Sequence, residues 1–207
     1  MTDQNQLFLR NETLNTIYNR HSVRMFTDQD VSESDISTIL NAANQAPSAH
    51  NQQSWRFIVL RGDKKSELVN LVTANSTGFP RPTSALLRMA ARSIASAPIV
   101  VAVVNTGELL QRGPELFEVD KEIAVDFFRI MEIQSSAAAV ENMLLAATSI
   151  GLSSVWLGIL IMIQEQVLHF LGNPGGEFMA VVPVGYAQKI NAGPKKRSLD
   201  VTVQYLK

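Results

Sequence analysis

The 207-residue chain has no cysteine. Disulfides, thiolate nucleophiles and thiolate metal sites are therefore excluded together, and a reducing, cytoplasmic location is the expectation. It has no surplus of charge either: 18 Lys+Arg against 19 Asp+Glu leave a formal net of -1, and phosphate-tracking nucleic-acid binders need a basic excess. Nucleic acid is not an expected partner. The start, Met1 to Gln6, is polar and acidic, without the basic and then apolar pattern of an export signal. No charged residue occurs from Asn142 to Gln164, but that run carries serines, Thr148, Gly151 and Gly158 and is flanked by Glu141 and Glu165. Such a run reads as helix, turn and buried strand rather than a membrane span. The glycines never form G-x-G, so the dinucleotide fingerprint and the phosphate loop are both missing. There is no G-x-S-x-G elbow, and His21, His50 and His169 stand far apart. With side-chain chemistry this sparse, a bound cofactor is the expected carrier of any reaction.

What is present is ordinary globular composition, 46% hydrophobic and 18% charged, at a length that suits one domain over 1–207. Leu14, Ile17 and Tyr18 predict a first helix, and Ser32 to Asp35 resembles a capping box ahead of Ile36, Ile39, Leu40 and Ala43. Pro47 should end that second helix and release a polar loop to Ser54. Strands are predicted over 55–60, 98–104, 152–157 and 178–184, with helices near 68–72, 84–94 and 163–171 between them. Residues 105–119, rich in Gly and Pro, read as a loop. A long helix over about 120–150 follows, its second half apolar nearly all round, as for a helix enclosed on every side. The tail, 188–207, pairs a basic cluster with the alternation Leu199, Val201, Val203, Tyr205, which reads as a strand docking elsewhere as an arm.

Two segments carry candidate chemistry. Arg20-His21-Ser22-Val23-Arg24 places two guanidinium groups and a hydroxyl on one face of an extended segment, a pattern suited to phosphate or another anion. Taken alone, a solvated helix end is the favoured account of it, and a solvated tail competes in the same way for Lys195-Lys196-Arg197. The loop Pro47 to Ser54 is dense in hydrogen-bonding groups that suit a planar heterocycle, although such loops also satisfy their own turns. His50 reads as a turn or surface residue, and Trp55 as core.

Taken together, Arg20 to Arg24, Ala46 to Phe57, Ala146 to Leu152, and Val182 to Tyr186 followed by Pro194 to Arg197 resemble, in order and separation, the flavin-dependent nitroreductase family. The resemblance runs from about Thr13 to Asp200. It implies an α+β sandwich around a mixed, mostly antiparallel sheet flanked by helices, in an intertwined homodimer with FMN at each of two subunit interfaces and the tail reaching the partner. By position, Arg20, His21 and Ser22 fall at the phosphate, with Lys195 and Arg197 closing on it, and Arg24 at the pyrimidine edge. Pro47, Ser48, Ala49 and Asn51 would line the isoalloxazine, Pro47 and Ser48 from the partner subunit, while Leu157 and Gly158 would offer backbone donors near N5. Arg92 is a further cation of weaker alignment. The implied activity is ping-pong hydride transfer from NAD(P)H to a small aromatic or quinone-like acceptor. A dehalogenating or flavin-fragmenting branch and a non-catalytic FMN sensor are the alternatives. Ser54 stands where the motif commonly has proline, Leu157 where some members have an acid, and 105–126 matches no motif.

Overall fold

The computed structural model describes residues 11–118, 120–189 and 193–206. Met1 to Gln6 and the 190–192 and 207 positions of the tail lie outside the described residues. The chain runs α1 (Glu12–Asn19), α2 (Glu33–Asn44), β1 (Trp55–Leu60), α3 (Gly62–Ser76), α4 (Arg81–Ser96), β2 (Ile99–Asn105), α5 (Glu108–Leu116), α6 (Lys121–Ser149), β3 (Ser153–Ser154), α7 (Gln164–Phe170), β4 (Glu177–Gly185) and α8 (Leu199–Thr202). The four strands form one antiparallel sheet in the order β1-β2-β4-β3.

β2 is buried along its whole length, and its side chains alternate between two cores. Val100, Ala102 and Val104 pack with Leu68 and Val72 of α3 and Leu87 and Ile94 of α4. Ile99, Val101 and Val103 pack with Ile36 and Ile39 of α2 and Val140 and Met143 of α6. This is the helix-covered sheet that the uninterrupted β-branched run dictates. The predicted cap is present: the Asp35 N–H donates to Ser32 Oγ at 3.0 Å, and the Ser32 hydroxyl donates to the Asp35 carboxylate at 2.7 Å. Trp55 is core, with its indole N–H donating to Asn44 Oδ1 at 3.0 Å.

Three sequence expectations are corrected. The 152–157 strand shrinks to Ser153–Ser154, although Leu157 still pairs with Val181 in the same register. The cause is Pro183: Val155 donates to its carbonyl at 3.4 Å, but proline has no N–H to return. The 105–119 loop contains helix α5, despite Gly113 and Pro114 within it. The alternating tail forms no strand. Ser198 opens a turn of helix instead, and Leu199, Val201 and Tyr205 remain exposed, because a lone strand has no partner to pair its backbone.

The two halves of α6 differ. In the second half Ala139, Val140, Met143 and Ala147 are buried, whereas in the first half Ile123, Phe127 and Ile130 are 67%, 46% and 49% exposed.

Gly185 ends β4 where a Cβ would stand 2.5 Å from Cδ and 2.9 Å from Cγ of the rigid Pro98 ring. Gly185→Ala is therefore expected to destabilise the fold by about 1–3 kcal/mol through overpacking. A urea denaturation midpoint equal to that of the parent protein would contradict this packing.

Candidate functional site

The segment that leaves α1 is extended from Arg20 onward, and it is held against the edge of β3: Ser22 bridges Ser154 in parallel, and the Val23 N–H donates to the Ser154 carbonyl at 3.0 Å. Further along, Phe26 bridges Ala187, the Thr27 N–H donates to Tyr186 O at 2.8 Å, and the Gln188 N–H donates to Met25 O at 3.1 Å. The chain beyond β4 thus runs antiparallel to residues 25–27. That direction carries Gly193 onto His21, where a Cβ would lie 2.7 Å from the imidazole Nδ1. Lys195 and Arg197 follow Gly193 within a few residues, and both are exposed. The tail, far away in sequence, therefore returns to the first basic segment at His21, at one end of the sheet.

Alternation along the extended segment sorts its side chains. Arg24 faces a cavity of about 300 Å³ that it shares with Leu86, Met89, Trp156, Leu157 and Gly158. His21 and Val23 face a separate cavity of about 310 Å³ beside Thr148, Gly151 and Leu152. Ser22 and Arg24 are exposed. The Arg20 Nε lies 3.5 Å from Glu141 Oε1, with the two side chains 23% and 48% exposed, so the pair is solvent-screened and worth under about 1 kcal/mol.

Leu157 differs from the expectation of a free backbone donor. The Leu157 N–H donates to Val181 O at 2.9 Å as part of the sheet, so it is not free to serve a ligand, and Leu157 enters the cavity as a wall. At Gly158 a Cβ would meet nothing nearer than the Trp156 indole at 3.7 Å. The chain's own packing thus leaves room over this glycine.

The loop Pro47 to Gln53 is placed elsewhere. His50, Asn51 and Gln53 all have left-handed backbones, with φ of 52°, 53° and 53°, an arrangement that costs free energy in non-glycine residues unless the surroundings enforce it. The Gln53 N–H donates to Ser48 Oγ and the Ala49 N–H to Ser135 Oγ, each at 3.1 Å, which ties the loop to itself and to α6. Asn51 Oδ1 accepts from Gln53 Nε2 at 3.1 Å. This loop leads into Trp55, which pairs with Asn105 at the far end of β2, whereas the basic cluster lies by Val184 and Gly185 beside Ile99. Six steps of about 3.3 Å put those ends of β2 about 20 Å apart. One chain therefore brings the tail at Gly193 back onto His21, sets Arg24 with Leu157 and Gly158, and leaves Pro47, Ser48, Ala49 and Asn51 at the opposite end.

Sequence reasoning missed Glu132 and Phe117. Glu132 is 2% exposed, on the inward stripe of α6 with Ala124 and Phe128, and the four-residue spacing of that stripe was the available signal. Phe117 stacks on His50 with ring centroids 4.3 Å apart, a contact no local pattern announces. Lys65, whose amine burial pushes below its usual range, donates to Ala95 O and Ala97 O at the end of α4 and is structural. Among the described residues no cluster of His, Asp and Glu could hold a metal, and no helix is long and apolar enough to cross a membrane.

Comparison with known proteins agrees with this fold. A protein of Archaeoglobus fulgidus, provisionally named NADH dehydrogenase/NAD(P)H nitroreductase, is 36% identical over 148 residues, covering 72% of this chain and 68% of its own. A provisionally named nitroreductase from Desulfovibrio desulfuricans, solved in complex with FMN, superposes with a TM-score of 0.69 at 26% identity over 96% of this chain and 98% of its own. A nitroreductase with bound FMN from Desulfitobacterium hafniense gives 0.73 at 24% identity, over 96% and 100%. The profile described as Nitroreductase family matches residues 17–186, and this chain belongs to that family.

Proposed function

We propose that this chain, an oxidoreductase of the nitroreductase family, binds FMN between two copies of itself and passes hydride from NAD(P)H to an electron-poor acceptor such as a nitroaromatic or quinone. The observation that carries the reading is the return of the tail onto His21 at Gly193, from where Lys195 and Arg197 would reach a phosphate held by Arg20 and Ser22. Three cations and a hydroxyl with only Glu141 as a paired counter-charge form a donor set suited to a phosphate dianion. The room left over Gly158 and the apolar walls around Arg24 suit a flat heterocycle with one polar edge.

When bound, FMN supplies two-electron hydride chemistry that no side chain of this protein offers. The chain's part is to hold and to bias. Arg20, Ser22, Lys195 and Arg197 would grip the phosphate. Arg24 would set a positive charge, in a cavity walled by Leu86, Met89 and Trp156, where reduction accumulates negative charge. Gly158 would offer its N–H, since the Leu157 N–H is committed to Val181.

Pro47, Ser48, Ala49 and Asn51 would complete the site from the partner subunit, because the length of β2 keeps a chain's own loop away from its own basic cluster. The exposed apolar stripe of α6 and the exposed apolar tail supply surface for that pairing. Donor and acceptor would occupy the same face in turn, and water could protonate the reduced product, so no acid or base from the protein is required.

Protein reconstituted with FMN and desalted is expected to be yellow and to bleach anaerobically on addition of NADH or NADPH. A preparation that takes up no FMN would overturn the proposal, and one that binds it without bleaching would favour a sensor. Arg20→Ala should weaken FMN retention about tenfold or more, the scale of one lost charge-assisted hydrogen bond. His21→Ala should weaken it less. Equal retention in the two variants, read by flavin fluorescence after dialysis, would contradict the clamp.

A further inference from the structure

The proposed function leaves the hydride donor open between NADH and NADPH, which differ by one phosphate on the 2′ position of the adenosine ribose. Helix α4 carries a surface able to tell them apart. Between Glu67 and Glu108 the sequence has no acidic residue and three basic ones, Arg81, Arg88 and Arg92, in a chain whose formal net charge is -1. All three lie on α4, and all three are exposed. At about 100° per residue they fall within about 40° of one another round the helix axis, so they form one stripe.

Among the described residues none of these arginines is in an ion pair. Arg88 is held by a neutral neighbour instead: its Nη1 donates to the Ser84 hydroxyl, one turn earlier, at 2.5 Å, and Ser84 is buried. That bond fixes the guanidinium along the helix while its remaining N–H groups stay available. A side chain already ordered loses less freedom when a ligand arrives.

The stripe runs beside the candidate site. Next round the helix come Leu86, Met89 and Ser93, which line the cavity of Arg24, Trp156 and Gly158. Leu86 and Met89 are half exposed, so α4 presents an apolar ledge alongside its cations. The C-terminal end of the helix is tied to the same place, where the Ser96 hydroxyl donates to Arg24 O at 3.4 Å. Arg92 stands one turn from that tie, Arg88 about 6 Å farther along the axis, and Arg81 about 10 Å beyond Arg88. Flat rings joined through phosphates, the layout of a dinucleotide, match a ledge flanked by spaced cations.

We propose that α4 selects the donor: Arg88, assisted by Arg81, takes the 2′-phosphate, and the protein uses NADPH in preference to NADH. This rests on the reading that FMN occupies the Arg24 cavity, since a donor lies along α4 only when its nicotinamide meets a ring held there. A phosphate monoester at neutral pH carries about 1.5 to 2 negative charges, and a planar guanidinium can bind two of its oxygens at once. NADH presents only a ribose hydroxyl at that point. The diphosphate is common to both donors and gives no preference between them.

The test assays the FMN-loaded protein with menadione as acceptor and either NADPH or NADH as donor. The parent should favour NADPH about tenfold or more in kcat/KM, the scale of a charge-assisted contact. Arg88→Ala should cut that ratio about tenfold through the KM for NADPH, as removal of a ground-state contact requires. Arg81→Ala should cut it less. Arg88→Lys, which keeps the charge and loses the fork, should fall between the parent and Arg88→Ala. A titration without turnover accompanies the rates. Adenosine 2′,5′-bisphosphate should bind the parent about tenfold tighter than adenosine 5′-monophosphate, and Arg88→Ala should remove the difference.

Equal kcat/KM for the two donors in the parent would overturn the inference. So would an Arg88→Ala variant, yellow as the parent, that loses kcat/KM for both donors alike, because the arginine would then serve the diphosphate. A parent that takes up no FMN defeats the proposed function itself, whereas one that bleaches equally well with either donor defeats this inference alone.

Discussion

The structure depends on one strand that touches no solvent. Every backbone polar group of β2 must find its partner in β1 or β4, and every side chain must find an apolar neighbour above or below. That double requirement places α3 and α4 on one face and α2 and α6 on the other. It also sets a ruler. The ends of β2 are where the two chemically loaded segments sit, and the strand cannot shorten without breaking both ladders.

Regular elements were legible where local physics decides them. The capping box at Ser32, the stop before Pro47 and the β-branched run at 99–104 all act through neighbours in sequence, and the chain follows them. The failures share a cause. Leu152 to Leu157 reads as strand on its own, but Pro183 across the sheet lacks the N–H that would continue it. Gly107, Gly113 and Pro114 read as loop, but a carboxylate from a distant helix caps them into α5. The tail alternates as a strand should, yet nothing within one chain pairs with it. In each case the deciding partner is remote in sequence.

The candidate site divides the same way. Arg20, Ser22 and Arg24 could be placed on one face from backbone geometry alone, and the alternation with His21 and Val23 is seen in the two cavities. That the tail returns to His21 was not visible in spacing. It follows from the antiparallel run of 186–188 against 25–27. Leu157 shows the reverse lesson, since a position matching a family motif still spends its N–H on the sheet.

The two borders of the sheet are unequal. Beyond β3 the backbone of Ser154 is already taken by Ser22 and Val23, so a foreign strand cannot pair with β3 itself there. The β1 border, Trp55 to Leu60, carries no such safeguard among the described residues. Any strand recruitment, whether orderly assembly or the onset of fibrillar stacking, has a single direction in which to grow.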